Sequence, residues 1–228
     1  MSPVESGYDD PEFVSRQVEA GQHRELVGGL WDEMGELQLE FMRSHGLLPQ
    51  HRLIDLGCGS LRGGVHFVRY LDRGNYYGLD NNQSLLDAGH AIELVAAGLQ
   101  DRVPAGHLFC NPDFLLPVED DFFDAGIAQS VFTHMTFNSI RRCLETVAPK
   151  FRQGAVLYAT FFELPGGLPA CQEYVRERGG VTTHGHKDPY HYRQEDLVQA
   201  AVGAPWRVHR IGDWGHPRAQ AMMAFERT

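Results

Sequence analysis

An α/β fold, with a mostly parallel seven-stranded sheet, an antiparallel C-terminal hairpin and helices on both faces, is what this sequence predicts. Three observations carry that prediction. Short apolar runs suited to buried strands alternate along the chain with stretches whose apolar residues recur at three and four, as in amphipathic helices. One run, Leu53-Ile54-Asp55-Leu56, breaks into the glycine turn Gly57-Cys58-Gly59 and then into a helical pattern at Val65, Phe67, Val68 and Leu71. The last two strand-like runs, Trp206 to Ile211 and Ala219 to Arg227, are separated only by Gly212-Asp213-Trp214-Gly215-His216-Pro217-Arg218, a connection that favours an antiparallel pair.

At 228 residues the chain suits one full α/β domain and is short for two, so a single domain over 1–228 is expected. Hydrophobic residues at 43% and charged residues at 22% exclude disordered and fibrous classes. A formal charge of -10 works against a phosphate polyanion, so no nucleic-acid partner is expected. Cys58, Cys110, Cys143 and Cys171 lie far apart without a CxxC pair, which argues against a zinc ribbon or disulfide framework and for reduced thiols in a cytoplasm. Met1 to Asp10 is polar and acidic, with no targeting signal, and no run is apolar enough to span a bilayer. The oligomeric state stays open, a homodimer included.

In chain order, residues up to Gly21 form a short helix or an arm, and one helix is expected from Glu25, through Trp31 and Met34, to Gly46. Residues 1–50 thus read as an N-terminal helical cap, with Trp31 and Met34 either core or a cover over a ligand. Tyr76 to Asp80 is a second strand, Leu85 to Gly98 a helix, and His107 to Cys110 a third strand. Asn111-Pro112-Asp113-Phe114 is then either a plain turn or part of a site. Phe123 to Ser130 reads as a strand, Asn138 to Pro149 as a helix, Ala155 to Phe162 as a strand and Gln194 to Ala201 as a helix. Glu163 to Arg193 lacks periodicity but holds Tyr174, His184, His186, Tyr190, His191 and Tyr192, so residues 163–193 are expected to be an acceptor-binding lid.

The glycine spacing departs from a dinucleotide fingerprint, which would place its third glycine at Arg62. Asp55 would repel a pyrophosphate but can order the turn and reach the amino group of a bound amino acid. Asp80, at the end of the next strand, suits a ribose diol. Asp55-Leu56-Gly57-Cys58-Gly59 followed by Gly78-Leu79-Asp80 resembles the first two motifs of the class I (Rossmann-like) S-adenosylmethionine (SAM) dependent methyltransferases, and Phe123 to Ser130 resembles the fourth. The closing segment Asp213 to Gln220 is similar to the ends of methyltransferases in sugar and natural-product pathways.

The resemblance implies SAM as cofactor and a binding set of Asp55, Gly57, Cys58, Gly59, Asp80, Asn81, Asp113, Phe114 and Gln129. It puts the methionine part over Gly57 to Gly59, the ribose on Asp80, and adenine against Asn81, Asp113 and Phe114. Leu61 departs from the family's third glycine, with Gly63 and Gly64 beyond it to compensate. The acceptor is expected to be a small molecule, methylated at a hydroxyl oxygen of a sugar or specialised metabolite. Transfer to nitrogen or carbon, and a non-catalytic SAM-binding partner protein, are the alternatives. A hydroxyl acceptor gains from a base, for which His134 after the fourth strand is the first candidate and His191 the second; packing or capping is the competing reading of His134. Tyr190, Tyr192, Trp214, His216 and Arg218 are the expected acceptor contacts. The His184 to His191 stretch offers imidazoles and a carboxylate, but Lys187 and Pro189 argue against a metal, and none is expected.

Overall fold

The computed structural model describes residues 10–104 and 106–228; most of the Met1 to Asp10 stretch therefore lies outside the described residues. Two compact units, Met1–Pro112 and Asp113–Thr228, make up the chain.

The first unit opens with α1 (Pro11–Glu19), started by Asp10, whose side chain accepts the amides of Glu12 and Phe13 at 3.1 Å. Next come α2 (His23–Leu26) and α3 (Trp31–Ser44). The single helix expected from Glu25 is thus two helices. Gly28 (φ 95°), Gly29 (φ 61°) and Leu30 (φ 48°) all take left-handed backbone, which no right-handed helix accommodates. Three strands follow with their intervening helices: β1 (Leu53–Leu56), α4 (Gly64–Tyr70), β2 (Tyr76–Asp80), α5 (Gln83–Ala88) and β3 (Leu108–Cys110). The expected helix over Leu85 to Gly98 is α5 running into a π-helical turn at Gly89–Leu94, and Gly98 (φ 68°) closes it. The strand order here is β3-β2-β1, all parallel, with Leu53 opposite Tyr76 and Asp55 opposite Gly78. Both β1 and β2 are buried along their whole length, Asp55 and Asp80 included, as strands inside a parallel sheet should be.

The second unit holds β4 (Phe123–Ala128), α6 (Phe137–Val147), β5 (Phe151–Glu163), β6 (Tyr174–Val175), β7 (Thr182–Thr183), β8 (His191–Tyr192), α7 (Gln194–Ala200), β9 (Trp206–Asp213) and β10 (Ala221–Arg227). Thr136 caps α6 by accepting the Ser139 amide. The order is β4-β5-β10-β9: β4 and β5 are parallel, and β10 and β9 are antiparallel additions. Phe123, Phe132, Phe151, Phe161 and Phe225 fill the core of this unit, and Trp206 joins them while donating its indole N–H to Leu144 O at 2.9 Å. The predicted class holds: a mixed α/β fold, mostly parallel, with antiparallel strands at the C-terminus.

Residues 163–193 are not the structureless loop that their lack of periodicity suggests. β6 and β7 pair antiparallel, and β8 lies parallel to the end of β5, with Phe162 opposite His191. The buried Arg176 guanidinium lies 5.1 Å from the Phe162 ring and 4.8 Å from Tyr174, and donates to Glu163 O and Thr183 Oγ1. Strands of two residues carry no alternation to read. Among the described residues, no helix is long and apolar enough to cross a membrane.

Candidate functional site

The glycine turn after β1 is held from beneath. Gly57 and Cys58 both donate their amides to Leu79 O, at 2.7 and 3.1 Å, and Gly59 donates to Asp80 Oδ2 at 2.9 Å. The other Asp80 oxygen accepts the Asn82 amide at 2.9 Å. One carboxylate therefore ties the turn after β1 to the end of β2. Burial pushes the Asp80 carboxyl above its ordinary range, while the amides of Asn82, Gly59 and Asn81 pull it back. Gly57 (φ 67°) and Gly59 (φ 54°) need left-handed backbone, and Leu61 adopts it too, at φ 68°. The position that departs from the family's glycine thus keeps the glycine conformation. Room for the buried Leu61 comes from its neighbours: a Cβ on Gly64 would lie 2.8 Å from Leu61 Cβ, and one on Gly89 would lie 2.6 Å from Leu61 Cγ.

Asp55 lies deeper, 3% exposed, and accepts a hydrogen bond from Tyr76 Oη at 2.9 Å. Its carboxyl is pushed up to about 7, first by burial; the Tyr76 bond opposes this, the Asp80 charge adds to it, and Arg62 opposes it. The Cys58 thiol is buried against Gly78 and pushed upward by burial, so the cysteine lends the turn its backbone amide and stays an unreactive thiol. Asn81 is exposed and accepts from Asn82 Nδ2 at 3.0 Å.

Residues 23–31 pack on this turn. Val27 Cγ1 would stand 2.8 Å from a Cβ at Gly59, Arg62 donates to Gly29 O at 2.8 Å, and Ser60 Oγ donates to His23 O at 3.4 Å. The buried Glu93 of the π-helical turn receives Arg24 through two bonds, at 2.8 and 2.7 Å, and faces His23 Nε2 at 2.7 Å. Burial alone would raise the Glu93 carboxyl, but Arg24 and His23 bring it below its ordinary range. Arg24 also stacks over Trp31 at 4.6 Å. Met34 is core, at 2% exposed.

In the second unit, a buried polar network sits where β4 ends. Ser130 N donates to Thr160 Oγ1 at 2.7 Å, Thr160 Oγ1 donates to Gln220 Oε1 at 2.6 Å, and Gln220 Nε2 donates to Ser130 Oγ at 2.8 Å. The Gln129 amide lies 2.6 Å from Ser130 Oγ and 3.2 Å from His216 Nε2. His216 Nδ1 accepts the Arg218 amide at 3.0 Å, which places the proton of the neutral ring on Nε2. The Gln129 amide must then turn its oxygen toward that ring, an assignment that follows from the network. Gln129 and His216 are thus joined to each other. Trp214 stands at 5.5 Å from the His216 ring.

His134 sits in the turn after β4, one third exposed, with Nδ1 2.6 Å from Asp188 Oδ1. His191, the second base candidate, is buried, with Nδ1 on Thr183 Oγ1 and Nε2 on Ala170 O, each at 3.0 Å; burial lowers its pKa. Tyr190 donates its amide to Thr133 O at 2.7 Å, and Tyr192 Oη donates to Met135 O at 2.6 Å. Asp113 faces Arg142 at 3.1 Å, and the neighbouring Phe114 takes φ 60° in the turn that Asn111-Pro112-Asp113 begins. The imidazoles of 184–191 do not gather: His184 faces Glu173 at 3.1 Å, and its ring centroid lies 6.0 Å from that of His186. Among the described residues, no three His, Cys, Asp or Glu side chains are grouped to hold a metal ion.

No protein-family model matches the chain. Solved structures do. The [4+2]-cyclase SpnF aligns over 98% of this chain and 96% of its own, with a TM-score of 0.65 at 14% identity. A SAM-dependent methyltransferase from Clostridium acetobutylicum ATCC 824 aligns over 92% and 98%, with a TM-score of 0.64 at 12% identity. Magnesium protoporphyrin IX methyltransferase (ChlM) from Synechocystis PCC 6803, with bound SAH, aligns over 95% and 96%, with a TM-score of 0.62 at 13% identity. The chain has the class I methyltransferase fold. The glycine turn follows β1 and Asp80 ends β2, as the apolar runs of the sequence predict. Sequence reasoning missed Tyr76 as the partner of Asp55, the Thr160 and Gln220 network, and Asp188 as the partner of His134. No local pattern could have paired His134 with a residue 54 positions away.

Proposed function

We propose that this chain transfers a methyl group from SAM to a small-molecule acceptor, at a hydroxyl oxygen of a sugar or specialised metabolite. The observation that carries the reading is the buried carboxylate pair under the glycine turn, Asp55 at 3% and Asp80 at 7% exposed. Besides burial, the Asp80 charge pushes the Asp55 carboxyl up and Arg62 offsets it only in part, so the pair favours a ligand that brings positive charge and hydroxyl donors. SAM has both: an ammonium, a sulfonium and a ribose diol. A pyrophosphate would bring the opposite charge. When bound, SAM supplies a methyl group already activated by its sulfonium, so no metal is required.

The protein's own residues then have three tasks. Asp80 accepts from the ribose hydroxyls, Asp55 faces the amino group, and the turn from Gly57 to Gly59, Cys58 included, carries the methionine part. Asn81, Asp113, Phe114 and Gln129 remain the proposed surroundings of the adenine and the rest of the cofactor. Alignment of an acceptor behind the methyl group supplies about 7 to 11 kcal/mol of barrier reduction. Tyr190, Tyr192, Trp214, His216 and Arg218 are the proposed acceptor frame. His134 is the proposed base. His191, with both ring nitrogens bonded inside the lid, holds the lid's shape. A charge of -10 supports a small-molecule acceptor over nucleic acid, and the free cysteines suit a reducing cytoplasm.

Calorimetry with SAM and SAH, then methyl uptake from labelled SAM by a panel of hydroxylated metabolites, tests the reading. SAM is expected to bind, and Asp80→Ala to weaken it by about 2 to 4 kcal/mol. Unchanged affinity in a folded variant sinks the cofactor assignment. The likeness to the [4+2]-cyclase SpnF supports a second reading in which the fold serves other chemistry. SAM binding with no methyl uptake by any acceptor would favour it.

A further inference from the structure

We propose that Asp188 is the positioning residue for His134, holding the ring proton on Nδ1 so that Nε2 carries the lone pair that receives the acceptor's proton. The proposal rests on the reading of His134 as the base of a methyl transfer to oxygen.

The first observation is the bond itself, 2.6 Å from His134 Nδ1 to Asp188 Oδ1, with the two side chains 33% and 17% exposed. An ionised carboxylate can only accept, so Nδ1 carries a proton in this pair and the neutral ring has its lone pair on Nε2. The second observation is that two further bonds join the same two stretches of chain. Tyr190 N donates to Thr133 O at 2.7 Å, and Tyr192 Oη donates to Met135 O at 2.6 Å. Alternate residues 188, 190 and 192 thus grip consecutive residues 133, 134 and 135. The third observation is that the gripping stretch is itself anchored. β8 is paired with the end of β5, the rings of Tyr190 and Tyr192 stack at 6.2 Å, and His184 N and His191 N donate to Pro189 O and His184 O, each at 2.9 Å. Asp188 therefore orients the ring from a braced segment, the arrangement of a base steered by a third group.

In the reaction, the acceptor O–H proton passes to His134 Nε2 as an oxygen lone pair forms the new C–O bond. The electron pair of the breaking S–CH3 bond stays on sulfur. The imidazolium so formed faces the Asp188 charge and later returns its proton to solvent. The lid segment, on this account, does more than contact the acceptor: it sets the tautomer of the base.

Long-range 1H–15N NMR of labelled protein at pH 8 reads the tautomer directly, with the His134 signals identified by their loss in His134→Gln. The wild type is expected to show the Nδ1–H form. Asp188→Asn, whose amide can donate to Nδ1, is expected to shift the ring toward Nε2–H, and Asp188→Glu to retain Nδ1–H. An Nε2–H ring in the wild type overturns the proposal without any variant. So does an unchanged tautomer in folded Asp188→Asn. With a hydroxylated metabolite that takes up methyl, Asp188→Asn should lower kcat about a hundredfold and leave KM within about threefold. Wild-type kcat in that variant also overturns it. SAM titrated into the same samples separates the two readings: loss of SAM binding in the wild type would fail the methyltransferase reading and leave the tautomer result standing.

Discussion

At the scale of single residues, Asp55 makes the sharpest commitment. Its carboxyl, at about 7 in the folded protein, ordinarily titrates near 3.9 in an unfolded chain. From about pH 4 to about pH 7 the folded state thus holds a proton that the unfolded state has released. Stability from this group must fall as pH rises through that window and level off above it, by about 4 kcal/mol at most. Urea unfolding at pH 5 and pH 8 should show the wild type losing more stability than Asp55→Asn; equal losses would remove Asp55 as the cause. A cationic ligand reverses the trend, because it favours the ionised carboxylate. SAM should therefore bind more tightly at pH 8 than at pH 6 and release protons on binding, read by calorimetry in buffers of different ionisation enthalpy. Asp80 carries a related lesson. Because it accepts from both Gly59 and Asn82, Asp80→Ala should cost stability, about 1 to 3 kcal/mol, as well as SAM affinity.

At the scale of elements, close approach decides more than propensity. α3 and α4 approach at Gly35, where a Cβ would lie 2.4 Å from the His66 ring and 2.8 Å from Arg62 O. The His66 ring end could move, but the Arg62 carbonyl is backbone. Gly35→Ala should therefore destabilise by about 1 to 3 kcal/mol despite alanine's better helix propensity, as a drop in the thermal midpoint would show. Thr160 joins β5 to β4 and β10 through its hydroxyl, accepting from Ser130 N and donating to Gln220. Thr160→Val keeps the shape and leaves those groups unpaired in the core, so a loss of about 1 to 3 kcal/mol is expected by denaturant titration. The sequence reads as one helix across Gly28 and Gly29, because the apolar pattern continues on both sides of them. The left-handed backbone that breaks it belongs to tertiary packing, which sets Val27 against Gly59.

At the scale of the whole molecule, the methyl-transfer reading asks for no metal. Dialysis against a chelator should leave the thermal midpoint and SAM binding unchanged, and a shift in either that added zinc or magnesium restores would reverse that reading. A net charge of -10 adds a long-range preference for cationic over anionic ligands, so affinity for SAM should exceed that for SAH, which lacks the sulfonium and has no net charge, most clearly at low ionic strength.

The sequence by itself determined the alternation of strands and helices, the glycine turn after β1, the acid that ends β2 and the antiparallel close. These are local signals: apolar period, a backbone that only glycine adopts easily, a carboxylate at a strand end. Even there, Leu61 shows the limit, since a leucine takes the left-handed conformation when Gly64 and Gly89 leave it room. Only the tertiary structure decided which side chains meet. Tyr76 reaches Asp55 because parallel register sets β1 beside β2, and Gln220 reaches Ser130 and Thr160 because β10 adds to β5. His134 meets Asp188 because β8, two residues long and without a period of its own, is fastened to the end of β5. Partners far apart in sequence leave no mark on their neighbours, and their pairing is a property of packing alone.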